Sequence, residues 1–227
     1  MAYSIIIPVL NEVKVLPDAL KKLQIARTQG AEIILVDGGS SDGTLELAKQ
    51  LEGIRFDKFA TSRPGRAAQM NVGAALASKP LLVFLHIDTD LDESCSRALN
   101  EYSKFERIWG RFDVVLSGQH FVFRIIETMM NLRSRLTGVV TGDQVLFISR
   151  TLFHNVDGFE ELPLMEDIEL SKRLRKIQWP VSSSVLVSTS SRRWEEYGIL
   201  KVIFIMWGLR LAYFLGVSPD KLAGYYE

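Results

Sequence analysis

Cysteine is almost missing from this chain. Cys95 is the single one in 227 residues, so no internal disulfide can form and a reducing compartment is expected. Its acidic neighbours Asp92 and Glu93 disfavour a thiolate, which leaves Cys95 a structural role. An excess of either charge is missing too. Lys plus Arg and Asp plus Glu both number 27, which leaves no basic field for nucleic acid. The opening Met-Ala-Tyr-Ser lacks the basic start and long apolar core of a secretory signal, so a cytoplasmic location is expected. No linker rich in Pro, Gly or Ser, no repeat and no low-complexity tract interrupts the chain. No Gly-x-Gly-x-x-Gly follows the first apolar run, which disfavours a dinucleotide-binding dehydrogenase. What is present is apolar mass: 47% hydrophobic against 24% charged residues is enough for an ordered core.

The apolar residues come in short runs separated by turn residues. Ser4–Val9, Glu32–Asp37, Ile54–Phe59 and Leu81–Ile87 read as strands. The runs at 4–9 and 32–37 are apolar nearly throughout, as expected of parallel strands covered on both faces. Leu16, Leu20 and Leu23 recur at helical spacing up to Gly30. Thr44 or Asp42 can cap a helix reaching Leu51, and Ala67–Ala77 is an alanine-rich helix. Strand and helix therefore alternate through the first ninety or so residues, which predicts a parallel, doubly wound half. The later part predicts helices at Asp92–Lys104, Phe121–Leu136 and Asp167–Gln178, and strands at Ile108–Leu116, Gln144–Ser149 and Val181–Val187. Residues 1–91 form an expected nucleotide-binding half, 92–195 an acceptor half and 196–227 a helical extension. The four tryptophans include Trp109 and Trp179, both expected in the core with the methionines; His120 and His154 are expected at the surface.

Polar clusters follow three of these strands. Pro8 to Glu12 follows the first, Asp37 with the turn Gly38–Gly43 the second, and Asp88-Thr89-Asp90 the last. Carboxyl ends of parallel strands share one edge of a sheet, where ligands sit in open α/β folds, so the clusters should converge. Two carboxylates at the end of a buried strand suit a hard divalent cation that also holds a diphosphate. Arg63 and Arg66 precede the alanine-rich helix, where positive charge and free N–H groups can meet phosphate. His86, inside an apolar run, reads as a supporting histidine rather than a ligand.

Ile5-Ile6-Ile7-Pro8-Val9-Leu10-Asn11-Glu12, Val36-Asp37-Gly38-Gly39-Ser40-Ser41-Asp42-Gly43-Thr44 and Asp88-Thr89-Asp90, in this order and spacing, resemble a family 2 glycosyltransferase of the GT-A fold. Gly65 to Gly73 is similar to that family's segment before the metal strand, and Met165-Glu166-Asp167 to its Glu-Asp motif. The likeness covers roughly residues 3 to 195. Arg63 to Asn71, the Leu-His-Ile-Asp-Thr segment and Arg192-Arg193-Trp194 most resemble a short bacterial subgroup associated with radical-SAM and selenium-domain genes.

The resemblance implies an α/β GT-A-like domain, mostly parallel in its central sheet, that takes a UDP- or GDP-sugar. It places Pro8, Asn11 and Glu12 along the nucleoside, Asp37 on the base, and Arg63 and Arg66 near base or diphosphate. Gly38, Ser40, Asp42 and Asn71 complete the donor set. Asp88 is implied as a donor contact on the ribose or sugar side and a neighbour of the metal, and Asp90 as the ligand of Mn²⁺ or Mg²⁺. Asp167, or Glu166 beside it, is implied as general base in an inverting displacement. Gly142, Asp143 and Gln144 are expected at the acceptor mouth. Arg193 and Trp194 fall where some members border the acceptor channel, but Ser190 stands where that motif needs Gln; the arginines either hold diphosphate or start a solvated helix. The acceptor is unnamed, a lipid-linked one included.

Two other functions stay open. A sugar nucleotidyltransferase would need a Gly-rich loop with a basic residue after strand one, where this chain has Pro-Val-Leu-Asn-Glu. A non-catalytic module binding a nucleotide sugar or lipid head group would keep the same pocket. Ile199–Val217 is apolar but for Lys201, Gly208 and Arg210. Arg210 near its middle costs about 2.5–3.5 kcal/mol on insertion scales, which disfavours a spanning helix. A peripheral helix on the inner face of the cytoplasmic membrane, a homodimer helix and a helix capping the fold are the readings left.

Overall fold

In the computed structural model, residues 3–225 are described. The first half runs β1 (Tyr3–Val9), α1 (Leu16–Lys22), α2 (Gln24–Thr28), β2 (Glu32–Asp37), α3 (Thr44–Leu51), β3 (Lys58–Thr61), α4 (Arg66–Leu76) and β4 (Leu81–Phe84). The second half runs β5 (Thr89–Asp90), α5 (Glu93–Tyr102), β6 (Trp109–Leu116), α6 (Phe121–Thr137), β7 (Leu146–Ser149), α7 (Arg150–Asn155), α8 (Glu166–Arg175) and β8 (Val181–Thr189). Three helices close the chain: α9 (Arg192–Tyr197), α10 (Ile199–Phe214) and α11 (Pro219–Ala223).

All eight strands lie in one sheet, in the order β3-β2-β1-β4-β7-β6-β8-β5. β1 pairs in parallel with β2 and β4, and β2 with β3. β7 returns antiparallel to β4, and β6 is antiparallel to β7 but parallel to β8. Alternation along β1 explains its all-apolar sequence. Tyr3, Ile5 and Ile7 point into one core with Leu16, Leu20 and Leu99; Ile6 points into the other with Met70, Phe84 and Trp109.

Some expectations shift. The helix expected from Leu16 to Gly30 breaks at Leu23, because the Gln24 side-chain amide donates to the Leu20 carbonyl at 2.7 Å. The third strand begins at Lys58 rather than Ile54. The Arg27 guanidinium instead binds the carbonyls of Gly53 and Ile54 in a turn with Gly53 at φ +75°. Trp179 is exposed, while its backbone neighbour Gln178 accepts a hydrogen bond from the buried Trp109 indole. His120 and His154 are at the surface, as expected.

α4 lies tightly on β1. A Cβ on Gly73 would meet Ile6 Cγ2 at 2.4 Å. Higher on the same helix, the buried Gln69 amide donates to the carbonyls of Val9 (2.8 Å) and Val36 (2.9 Å), where β1 and β2 end. Gly73→Ala is expected to cost about 1–3 kcal/mol by overpacking. At this chain length that lowers Tm by several degrees, roughly 2–4 °C per kcal/mol. A thermal melt with an unchanged Tm would show the helix free to move off the strand.

Candidate active site

The loops after β1 and β2 are laced together. Asn11 donates its N–H to Ser40 Oγ (2.9 Å) and accepts the Ser41 N–H on Oδ1 (2.8 Å). Glu12 donates its N–H to Thr44 Oγ1 (2.8 Å), and Asp42 Oδ2 accepts from Val13 N–H (3.2 Å). Asp37 ends β2 with Oδ2 accepting from the N–H groups of Gly39 (2.9 Å) and Ser40 (3.0 Å). Its Oδ1 is buried and, among the described residues, has no hydrogen-bond partner. Gly38 lacks a Cβ where the Gln69 side chain passes, at 2.9 Å. These contacts make Asn11, Ser40, Asp42 and Gly38 builders of the loop.

Beyond β4 the chain does not continue straight. The Thr89 N–H donates to the His86 carbonyl (3.1 Å), so residues 86–89 turn, and Thr89–Asp90 joins β8 as β5. The turn separates the two carboxylates that the sequence sets side by side. Asp88 remains at the cavity, whereas Asp90 faces α1, where Lys22 Nζ contacts both its oxygens at 2.9 and 2.7 Å. The expected two-carboxylate metal site, Asp88 with Asp90, is therefore not assembled. Among the described residues no three His, Cys, Asp or Glu side chains cluster to hold a metal by themselves.

Two cavities open at this edge. One, about 360 Å³, is lined by Pro8, Glu12, Gly65, Gln69 and Pro163. The other, about 190 Å³, is lined by Gly142, Asp143, Asp167, Arg193, Trp194 and Arg210. Arg66, His86, Asp88, Leu164 and Glu166 belong to both. Of the remaining expected residues, Arg63 pairs with Glu161 outside both cavities. The Asn71 amide braces Phe159, donating to its carbonyl (2.8 Å) and accepting its N–H (2.9 Å). Gln144 is fully buried behind the cavity. These placements share a cause: Arg63, Asn71 and Gln144 each find a partner within the fold, in Glu161, Phe159 and Asn131.

Left-handed non-glycine backbone marks the edges of the site. Asn11 (φ 56°), Val145 (φ 55°) and Met165 (φ 71°) flank the segments that deliver Glu12, Asp143 and the Glu166-Asp167 pair. Such conformations cost of order 1–3 kcal/mol each and gather at functional sites. Asp167 Oδ2 accepts from the Gly142 N–H (3.1 Å), and Oδ1 from the Ile168 N–H (2.7 Å). Burial, then the Asp167 charge, pushes the Glu166 carboxyl up to about 7 despite Arg66. Burial also raises the Glu12 carboxyl, offset in part by Arg192 and reinforced by Asp88. His86 Nδ1 lies 3.5 Å from Asp143 Oδ1. Enclosure alone would raise Asp143, but the contact with His86 and the cations Arg66 and Arg210 bring it down to about 2.

Sequence reasoning missed His86 and Arg210 as members of the site. Each left a signal, a lone polar residue inside an apolar run. A Cβ on Gly142 would lie 2.2 Å from His86 Nε2, so the glycine lets that ring occupy the cavity wall.

Parallel strands whose loops converge on one edge, with an antiparallel return through β7 and β6, define an α/β domain of the GT-A type. The chain belongs to glycosyl transferase family 2, whose model matches residues 4–154. It is 33% identical over 127 residues to a PGL/p-HBAD biosynthesis glycosyltransferase of Mycobacterium bovis, which covers 52% of this chain and 49% of that one. The chain thus spans about half the length of the curated relatives it matches first. Its fold is shared with S. aureus TarS in complex with UDP-GlcNAc, at a TM-score of 0.66 and 17% identity over 84% of this chain and 58% of that one. It is shared as well with the mannosyltransferase PcManGT from Pyrobaculum calidifontis in complex with GDP-Man and Mn²⁺, at a TM-score of 0.67 and 15% identity over 99% and 67%.

The raised Glu166 carboxyl makes stability pH-dependent. Its contribution is complete below the unfolded value of 4.5 and is lost as pH rises through about 7. Glu166→Gln removes the ionisation. Its stability relative to wild type should rise by on the order of 2 kcal/mol between about pH 5 and about pH 8, read from paired thermal melts. A difference independent of pH would place Glu166 in a solvated, unperturbed setting.

Proposed function

We propose that the chain moves a glycosyl group from a nucleoside-diphosphate sugar to an acceptor hydroxyl, with inversion at the anomeric carbon. One observation carries this reading: Arg66, His86, Asp88 and Glu166 line both cavities, so a donor in one and an acceptor in the other meet at a single layer of side chains. UDP-GlcNAc in TarS and GDP-Man in PcManGT support a UDP- or GDP-sugar as donor. The short bacterial subgroup that the motifs resemble belongs to the same reading.

The nucleoside end lies along Pro8 and Glu12. Asp37 Oδ1, a buried acceptor without a donor, is suited to a base N–H, because leaving such a group unpaired costs about 1–3 kcal/mol. Arg66 opens α4, and no side chain caps the first N–H groups of that helix. Cation and helix terminus together suit a diphosphate. Asp88, exposed at the cavity, offers a hard oxygen ligand. Mg²⁺-type ions keep several waters and take one or two carboxylates plus substrate phosphates, so one carboxylate here fits the group. Asp88 would hold Mn²⁺ or Mg²⁺, and a bound ion would neutralise charge developing on the leaving diphosphate. Mn²⁺ in the PcManGT complex supports the choice.

Asp167 is the base. The Gly142 and Ile168 N–H groups orient its carboxylate in the second cavity. It takes the acceptor hydroxyl proton as that oxygen bonds to the anomeric carbon and the bond from that carbon to the diphosphate breaks. The nucleoside diphosphate leaves with the electron pair. Glu166, partly protonated near neutral pH, limits the negative charge beside the base.

A thermal-shift panel of UDP- and GDP-sugars with and without Mn²⁺ tests the assignment, because a matched donor stabilises by mass action. Asp88→Asn should abolish the Mn²⁺-dependent part of the shift, and Asp90→Asn should preserve it. Asp167→Asn should keep the shift while transfer or donor hydrolysis falls by roughly 10²–10⁴-fold. Loss of the Mn²⁺ response in Asp90→Asn with retention in Asp88→Asn would return the metal to Asp90. Undiminished turnover in Asp167→Asn would remove Asp167 as base.

A further inference from the structure

α10 is apolar on every side, yet one of its faces has no protein against it. Its inner face is well covered. Val202 and Leu209 are buried, Leu209 and Ile205 pack with Met165 and Ile168, and Val202, Met206, Leu209 and Arg210 form part of the catalytic cavity wall. Its outer face carries Leu200, Phe204, Trp207, Leu211 and Phe214, all exposed, Phe204 by 74% and Phe214 by 79%. At about 100° per residue these five fall within an arc of ~80°. A helix apolar all round is normally buried all round.

A second helix repeats the pattern beside it. α6 exposes Phe121, Ile125, Met129, Leu132 and Leu136, again within an arc of ~80° at about 100° per residue. The two helices meet at one point of the core: Ile199 and Ile203 of α10 and Met130 of α6 rest on the same buried cluster, Leu116, Phe123 and Ile126. Two exposed apolar stripes therefore lie on helices joined through that cluster. Isolated exposed apolar residues need no explanation, but paired stripes of this size do.

Charge decides what covers it. Glu127 is the single carboxylate within α6 and α10, and it is buried, accepting the Leu116 N–H at 2.6 Å. Arg124, paired with Glu127, and Arg135, paired with Asp113, flank the α6 stripe, and Lys201 flanks the α10 stripe; all three cations are exposed. A further cavity of about 600 Å³ beside α10 is lined by Arg192, Arg193 and Lys201 against one carboxylate, Glu196, together with Val202 and Met206. A second copy of the chain would bring a second set of these cations to the interface, while α6 and α10 offer them no exposed carboxylate. An anionic lipid surface offers apolar depth and opposite charge together. The geometry is that of lying on a bilayer. α10 has 16 residues, and no helix among the described residues is long and apolar enough to cross a membrane. At ~1.5 Å per residue α10 falls short of the roughly 30 Å hydrocarbon core.

We propose that the α6–α10 face docks this protein on the surface of an anionic lipid bilayer, with Phe204 and Trp207 in the acyl boundary and Lys201, Arg124 and Arg135 among the head groups. This surface stands independently of the transfer chemistry proposed above.

Vesicle co-sedimentation of the full chain tests it, with phosphatidylcholine vesicles and with vesicles containing phosphatidylglycerol. Binding should require phosphatidylglycerol and weaken in high salt. Phe204→Ser with Trp207→Ser, both on the open face, should weaken it by about tenfold or more. Ile125→Ser with Leu132→Ser should weaken it as well, and Ile25→Ser, on α2, should leave it unchanged. Circular dichroism confirms that each variant folds. The proposal is overturned by absence of vesicle binding, by equal binding to phosphatidylcholine, or by binding insensitive to the α6 and α10 substitutions. It is also overturned if light scattering finds a dimer that Phe204→Ser with Trp207→Ser dissociates while wild type ignores vesicles.

Discussion

A single buried carboxamide holds the strand-end edge of the sheet in shape. β1 and β2 end at the Val9 and Val36 carbonyls, and the Gln69 side chain donates to both, adding at Val9 to the Gly38 N–H that the carbonyl also accepts at 3.0 Å. The Gln69 amide is itself buried and needs acceptors, so this pair of bonds ties α4 to both strands. Gly38 makes room for the side chain, and Gly73 one turn on lets α4 settle against Ile6. Because α4 is pinned at Gln69, its first residue is pinned as well. That residue is Arg66, which stands at the wall common to both cavities. The position of the cation thus follows from the backbone needs of two strands.

The acceptor edge is held by other means. No parallel strand delivers Asp143, Glu166 or Asp167; the turn before β7 delivers the first and the opening turn of α8 the other two, each beside a left-handed non-glycine residue, Val145 or Met165. Carboxylates and cations then fix the geometry that the backbone alone would not. His86, Arg66 and Arg210 surround Asp143, and two backbone N–H groups hold Asp167. Charge here is close to balanced by construction, which lets three carboxylates share a small volume with one of them partly protonated.

Much of the fold was legible because its signals are local. β1 and β2 are buried on both faces and read as unbroken apolar runs; α4 is rich in alanine because it lies close on the sheet. The donor loops were legible as motifs, and Pro8, Glu12, Arg66 and Asp88 do line one cavity. What was not legible depended on direction. Asp88 and Asp90 are equivalent in a strand of period two, and only the turn at His86 sends them to different places. Arg63 and Asn71 carry suitable chemistry but have closer partners in Glu161 and Phe159, which are far away in sequence. Arg210 read as a penalty for membrane insertion. It is half-buried, a quarter of the way around the helix wheel from the solvent face, and lines the 190 Å³ cavity.

The wall supplied by α10 has a consequence for how such an enzyme can diversify. Most of the 360 Å³ cavity comes from β1, the loop after it, α4 and the turn after β4, within the segment matched by the family model; Pro163, Leu164 and Glu166 lie beyond it. The opposing wall, Val202, Met206, Leu209 and Arg210, lies beyond that segment on a helix joined by short connections at both ends. One wall of the smaller cavity is therefore set by sequence outside the matched segment. A change confined to α10 would reshape that cavity while the larger one, and the carboxamide that braces it, stayed as they are.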